Sequence, residues 1–196
     1  MKNVFHLPFL FLFGGFSLLP AQSGTDKLSL QAGVFLKATQ DQEWETVADM
    51  LYPKLFELAP REQIIAAMQG IQAGGFEISL SDPRINSISD IETHGTEKFA
   101  VLKYQMHMTM NLQGEDFEDA EAVETIVSYM KSMYGEEKVN FDKASKTLSA
   151  DARNTMVALA PEESEDWAFL EYKPELDAFL GEILAEGLLE KIKENQ

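Results

Sequence analysis

Cysteine is missing from all 196 residues, which excludes disulfides, thiolate metal ligands and thiol nucleophiles together. A lipid anchor on a cysteine is excluded with them. Histidine is nearly as scarce, with only His6, His94 and His107. No H-E-x-x-H pattern is present, and the acidic runs lack the spacing and glycine of a calcium loop. No metal ligand set and no cofactor is therefore expected. The glycines miss the phosphate-cradling and dinucleotide patterns, and no serine sits in a G-x-S-x-G elbow. Positive charge is short as well: 16 Lys and Arg stand against 33 Asp and Glu, a formal charge of −17. A surplus of that sign repels phosphate backbones and anionic lipid, so neither nucleic-acid binding nor membrane-surface docking is expected.

Long apolar runs are limited to one, from Leu7 to Leu19. Lys2 precedes it, and Pro20, Ala21 and Gln22 end it. A positive start, a short apolar stretch and a small residue before a polar segment match a secretory signal, with cleavage expected after Ala21. The run is too short to cross about 30 Å of hydrocarbon. The expected product, residues 22–196, loses Lys2 and reaches a formal charge of about −18. No stable membrane anchor remains in it. An exported chain without disulfides depends on its core, which suits a periplasmic or secreted soluble domain.

What is present after Gln22 alternates between two periodicities. A helix is expected over 27–39, with Leu30, Val34, Phe35 and Ala38 on one face. Asp41 is the expected N-cap of a second helix carrying Trp44, Val47, Ala48 and Leu51, and Pro53 ends it. Pro60 opens a third helix, striped by Ile64, Ile65 and Met68, that stops at Gly70 or at Gly74-Gly75. From Phe76 the period falls to two: Phe76, Ile78 and Leu80 form a strand, Asp82-Pro83 a turn, and Ile85 to Ile91 a second strand. The clearest strand is Glu97 to Leu112. Its even-numbered residues from Ala100 to Leu112 are apolar, and its odd-numbered ones turn polar after Val101, as in a half-buried antiparallel strand.

Gly114 and an acidic run through Glu115 and Asp116 lead to a helix capped by Asp119 and ended by Gly135. A short strand near Lys146 to Ser149, a strand at Asn154 to Ala160, an acidic loop from Pro161 to Asp166 and a strand at Trp167 to Tyr172 follow. Pro174 opens a last helix with Leu176, Phe179, Leu180, Ile183 and Leu184 toward the sheet. No repeat or linker divides the chain, so residues 22–196 are expected to form a single α+β domain. Its helices are expected to cover one face of a curved antiparallel sheet.

The early helices around Asp41, Trp44, Val47, Ala48 and Leu51, the Leu51-Tyr52-Pro53 step, Lys103-Tyr104-Gln105 and Trp167 to Glu171 together resemble the nuclear-transport-factor-2-like superfamily. That superfamily is also called SnoaL-like, with a cystatin-like α+β plan. The resemblance covers roughly residues 27–172 as architecture. It implies a curved antiparallel sheet packed against N-terminal helices into a cone-like form, here with an additional C-terminal helix. Members bind ligands within the cone or perform isomerase, dehydratase or hydrolase chemistry, and no subfamily signature transfers to particular residues of this chain.

Candidate sites follow from the faces of the long strand. His107 shares the polar face with Lys103 and Gln105, and as a general acid or base it needs an orienting carboxylate such as Glu171. Tyr104 beside an acid is the other catalytic candidate, although it lies on the apolar face. Tyr104, Met106, Met108 and Met110 form an adaptable apolar strip, which Trp167 and Phe169 extend as an aromatic wall for an apolar small molecule or a protein partner. Core packing explains the same residues. The leading expectation is a noncatalytic ligand-binding or protein-interaction domain, with homodimerisation through an exposed sheet surface. A small cone-fold enzyme using an acid-base pair and an accessory subunit without a ligand stay open.

If the leader is removed as expected, intact-mass measurement of the secreted product will match a chain beginning at Gln22. Recovery of the protein with Met1 or Lys2 still attached would overturn the leader assignment.

Overall fold

The computed structural model describes residues 24–73, 77–112 and 117–195. The expected export leader, the expected Gly74-Gly75 stop, Phe76 as an expected first strand residue, and Gly114, Glu115 and Asp116 lie outside the described residues.

Two apolar stripes compete on the first helix, α1 (Gly24–Asp41). Leu30 and Val34, expected inside, are 64% and 49% exposed, whereas Leu28, Ala32 and Leu36 are buried against the sheet. The buried stripe carries an alanine at its centre, which lets the helix approach closely, and Phe35 stacks on Phe169 with ring centroids 4.9 Å apart. Asp41 does not cap the following helix. It ends α1, paired with Lys37, and Glu43 occupies the N-cap of α2 (Trp44–Asp49). Two further helices, α3 (Leu55–Leu58) and α4 (Arg61–Ala73), follow, and Arg61 ties α4 to Glu45 and Asp49 of α2.

The strands are β1 (Glu77–Ile88), β2 (Glu92–His94), β3 (Glu97–Asn111), β4 (Val139–Asp142), β5 (Thr147–Pro161) and β6 (Ala168–Tyr172). Asp82-Pro83 does not make the expected turn. It lies within β1, where the register against β3 shifts between Ser81 and Arg84 and Asp82 takes a φ of 51°. A bulge absorbs the proline, which has no N–H for the ladder. The short strand expected near Lys146 and the strand expected from Asn154 are one continuous strand, β5.

All strand pairs are antiparallel, and the order is β1-β3-β5-β4, with β2 beside β1 on the flank of β3 and β6 beside β4 on the flank of β5. The curved, cone-like sheet that the resemblance implied is overturned: the sheet is open and does not curl closed. Its central pair explains why. β3 and β5 run in unbroken register from Glu97↔Pro161 to Asn111↔Thr147, without the extra residues that bend a sheet. Bulges occur in β1, at an edge.

Helices also cover both faces rather than one. On the even-numbered face of β3, α1 covers Ala100, Leu102, Tyr104 and Met106. Further along that face, α5 (Ala120–Tyr134) covers Met108, Met110 and Leu148. Asp119 caps α5 as expected, its side chain accepting the Glu121 N–H at 2.9 Å, and Gly135 ends it at a φ of 96°. On the opposite face, Phe99, Val101, Val157 and Leu159 lie under α6 (Asp177–Ile183) and α7 (Leu188–Glu194). These replace the single expected last helix. Leu184 turns extended and Gly187 adopts a φ of 79°, so the chain breaks between them and folds Leu188 and Ile192 into the core.

Phe169 joins three of these layers. It is fully buried, its N–H donates to the Met50 carbonyl at 2.8 Å, and its carbonyl accepts from the Tyr52 N–H at 3.1 Å. Phe169→Ala should cost about 3–5 kcal/mol of folding free energy, by lost burial and an incompletely closed cavity. Urea denaturation checks this; a loss below about 1 kcal/mol would show that the ring is not the keystone of this junction.

Candidate functional site

Pairing register decides which polar groups meet. Along β3 and β5 each residue has its partner on the same face, and β6 continues the rows with Met156↔Glu171 and Thr155↔Tyr172. Glu171 therefore rises on the even-numbered face together with Tyr104, across the intervening β5. The Tyr104 hydroxyl donates to Glu171 Oε2 at 2.7 Å. Burial holds the Glu171 carboxyl above its ordinary value, outweighing the opposing pull of the Tyr104 hydrogen bond and of Lys173. The Tyr104 phenol is pushed well up, first by burial and then by the Glu171 charge. Tyr134, from the last turn of α5, is raised by burial and by the same carboxylate. The pair is thus a partly buried hydrogen-bonded unit in which burial disfavours both anions.

His107 meets a different acid. Its Nδ1 lies 2.9 Å from Asp151 Oδ1 on the open polar face, with the two side chains 41% and 68% exposed. Glu171, expected to orient His107, stands on the opposite face of the sheet. The hydrogen bond to His107 is the main reason the Asp151 carboxyl sits below its usual range. Ser81 is the Cα partner of His107 on β1, so serine, histidine and aspartate occupy one cross-strand row. No hydrogen bond joins Ser81 to His107 among the described residues.

The expected apolar strip is divided between two helices. Tyr104, Met106, Trp167 and Phe169 pack beneath α1, and Met108 and Met110 pack beneath α5. All six are buried. Met106 also borders a recess of about 230 Å³ beside His107, Arg84 and Asp151. Tyr104 borders a groove of about 430 Å³ along Lys103, Gln105 and Arg153.

A larger cleft, of about 570 Å³, involves none of these six residues. β4 pairs with β5 only as far as Ala150, and β6 begins at Thr155, so Asp151 to Asn154 has no strand neighbour on that side. Arg153, Asn154 and Thr155 line the cleft from β5. Tyr129, Met133 and Tyr134 of α5 form one wall, and Lys173, Pro174 and Leu176 the other. Tyr129 is 62% exposed and Met133 40%. Their four-residue spacing on α5 is a visible sequence signal, but the gap beside β5 depends on where β4 and β6 end.

Among the described residues, no group of three acidic or histidine side chains is placed to hold a metal ion. No described helix is long and apolar enough to cross a membrane.

Glu171 generates a pH prediction. Its folded value is raised, so its contribution to stability is fully present below the unfolded value of about 4.3 and is lost as pH rises through the folded value. Glu171→Gln keeps an acceptor for Tyr104 and removes this titration. The melting temperature of the variant minus that of the parent should increase from about pH 4 toward pH 8. A difference that stays constant across thermal melts in that range would show that Glu171 is not perturbed.

No family model matches the chain, and no curated protein matches it. Among solved structures it is similar to an uncharacterised protein with a cystatin-like fold from Caulobacter vibrioides, at 12% identity and a TM-score of 0.38, over 81% of this chain and 96% of that one. The likeness is a distant one of fold.

Proposed function

We propose that this protein is an exported, noncatalytic binding domain that takes an extended peptide segment in the cleft between α5 and the end of β6. The observation that carries this reading is the stretch Asp151 to Asn154, which has a strand partner on one side only. An unpaired strand flank is a template for a further extended chain, with backbone groups giving affinity and side-chain pockets giving selectivity. Exposed Tyr129 and Met133 supply an apolar wall for such a segment. Export rests on the leader and on the absence of cysteine.

A second reading, an acid-base enzyme, draws support from the His107–Asp151 pair beside its recess. The noncatalytic reading is preferred because no hydroxyl is hydrogen-bonded to His107 among the described residues.

Titration of isotope-labelled protein with capped tetrapeptides rich in valine and threonine tests both readings. Saturable shifts are expected at the amides of Asp151 to Asn154 and of Tyr134, and Met133→Arg should abolish them. Peptides that leave those amides unmoved at millimolar concentration would rule out the cleft as a peptide site. Hydrolysis of a p-nitrophenyl ester that disappears in His107→Ala would replace the binding reading with the enzymatic one.

A further inference from the structure

Cations are scarce in this chain, and seven of the fifteen described ones pair with its own acids. Lys27, Lys37, Lys54, Arg61, Lys131, Lys191 and Lys193 all form ion pairs. Arg84, Lys103 and Arg153 are among the eight described cations that form none, although acids outnumber bases 33 to 16. These three share the open face of three adjacent strands. Arg84 pairs with Gln105 and Gln105 with Arg153, so one cross-strand row reads Arg-Gln-Arg; Lys103 stands in the next row on that face, beside Thr155. With strands about 4.8 Å apart, the two arginine backbones lie about 10 Å apart across Gln105, and Lys103 is about 7 Å further along.

The surrounding groups suit an oxyanion. Asn86 Nδ2 donates to Gln105 Oε1 at 3.4 Å, which turns the Gln105 amide so that its own N–H groups remain to donate. The groove of about 430 Å³ runs over Lys103, Gln105, Arg153 and Thr155, and the recess containing Arg84 adjoins it at Gln105. Asp151 and Asp82 border the recess, and Asp151 is engaged by His107. Planar guanidinium forks bind carboxylate and phosphate oxygens through paired hydrogen bonds.

We infer that Arg84, Gln105, Arg153 and Lys103 form a binding site for a compact oxyanion carrying two or more negative charges. The site shares Arg153 with the border of the peptide cleft, but it does not depend on a peptide binding there. Size follows from electrostatics. A long polyanion meets the repulsion of a chain at −17, while a small anion close to the three cations lies within a screening length of about 8 Å at physiological salt. A second copy of the chain does not fit, because a two-fold contact at this patch sets the same cations against each other.

The test is titration of the purified protein at low salt with citrate and, separately, with inorganic phosphate, followed by amide shifts and calorimetry. At least one anion should saturate the amides of Lys103, Gln105 and Arg153, and binding should weaken as sodium chloride is added. Arg84→Gln and Arg153→Gln should each weaken it roughly tenfold. Lys143→Gln, an equal loss of charge in the β4–β5 turn, should leave it unchanged. Citrate alone identifies a polycarboxylate ligand, and phosphate alone a phosphate-bearing one. The inference is overturned if neither anion saturates by 50 mM (a working ceiling of roughly ten times a weak millimolar affinity), if the shifts lie elsewhere, or if Lys143→Gln weakens binding as much as the arginine variants.

Discussion

The unbroken pairing of β3 with β5 is the constraint from which the rest of this structure follows. Fifteen residues of each strand face one another without a bulge. Every side chain on the two strands is thereby assigned to one face, because strand side chains alternate with a period of two. The even-numbered face is apolar from Ala100 to Met110 of β3 and receives α1 and α5. The other face is apolar only near Phe99, Val101, Val157 and Leu159, and α6 and α7 cover that portion alone. A central pair without bulges lacks the extra residues that bend a sheet, and its polar rows face solvent.

Two acid pairings show how depth changes the meaning of a hydrogen bond. Tyr104 and Glu171 meet at the edge of the core, where burial penalises both ionised forms and the hydrogen bond from Tyr104 opposes that penalty at the carboxylate. His107 and Asp151 meet on the exposed face, where water screens the interaction and the carboxylate is held ionised by its partner. Similar distances thus serve the edge of a packed core in one case and a solvated surface in the other. The same surface holds the unpaired Arg84, Lys103 and Arg153. Within so acidic a chain, a local surplus of positive charge is the more informative departure from the average.

Much of the secondary structure was legible because its signals are local. The alternation of β3, the cap at Asp119 and the stop at Gly135 depend on pleat geometry, one hydrogen bond and one positive φ. The failures were equally physical. α1 carries two plausible stripes: Phe35 and Ala38 of the expected one do point inward, but Leu30 and Val34 give way to Leu28, Ala32 and Leu36, which pack on the sheet. Asp82-Pro83 has turn chemistry, yet β3 supplies enough ladder on either side for a bulge to hold both halves in one strand. His107 is legible as a polar-face candidate, but which acid it meets is not, because Asp151 and Glu171 differ in face, a property of register.

By itself, the sequence determined the absence of thiol chemistry, the acidic surplus, the apolar leader pattern, the α+β class and the two-faced character of the strand through Tyr104 and His107. Each follows from residue type or short-range periodicity. Only the tertiary structure decided that the sheet is open, that helices occupy both faces, which carboxylate meets Tyr104 and which meets His107, and that β5 lacks a neighbour from Asp151 to Asn154. Those outcomes depend on strand register and on where neighbouring strands stop. Both are set by contacts between residues far apart in the chain, which local periodicity does not encode.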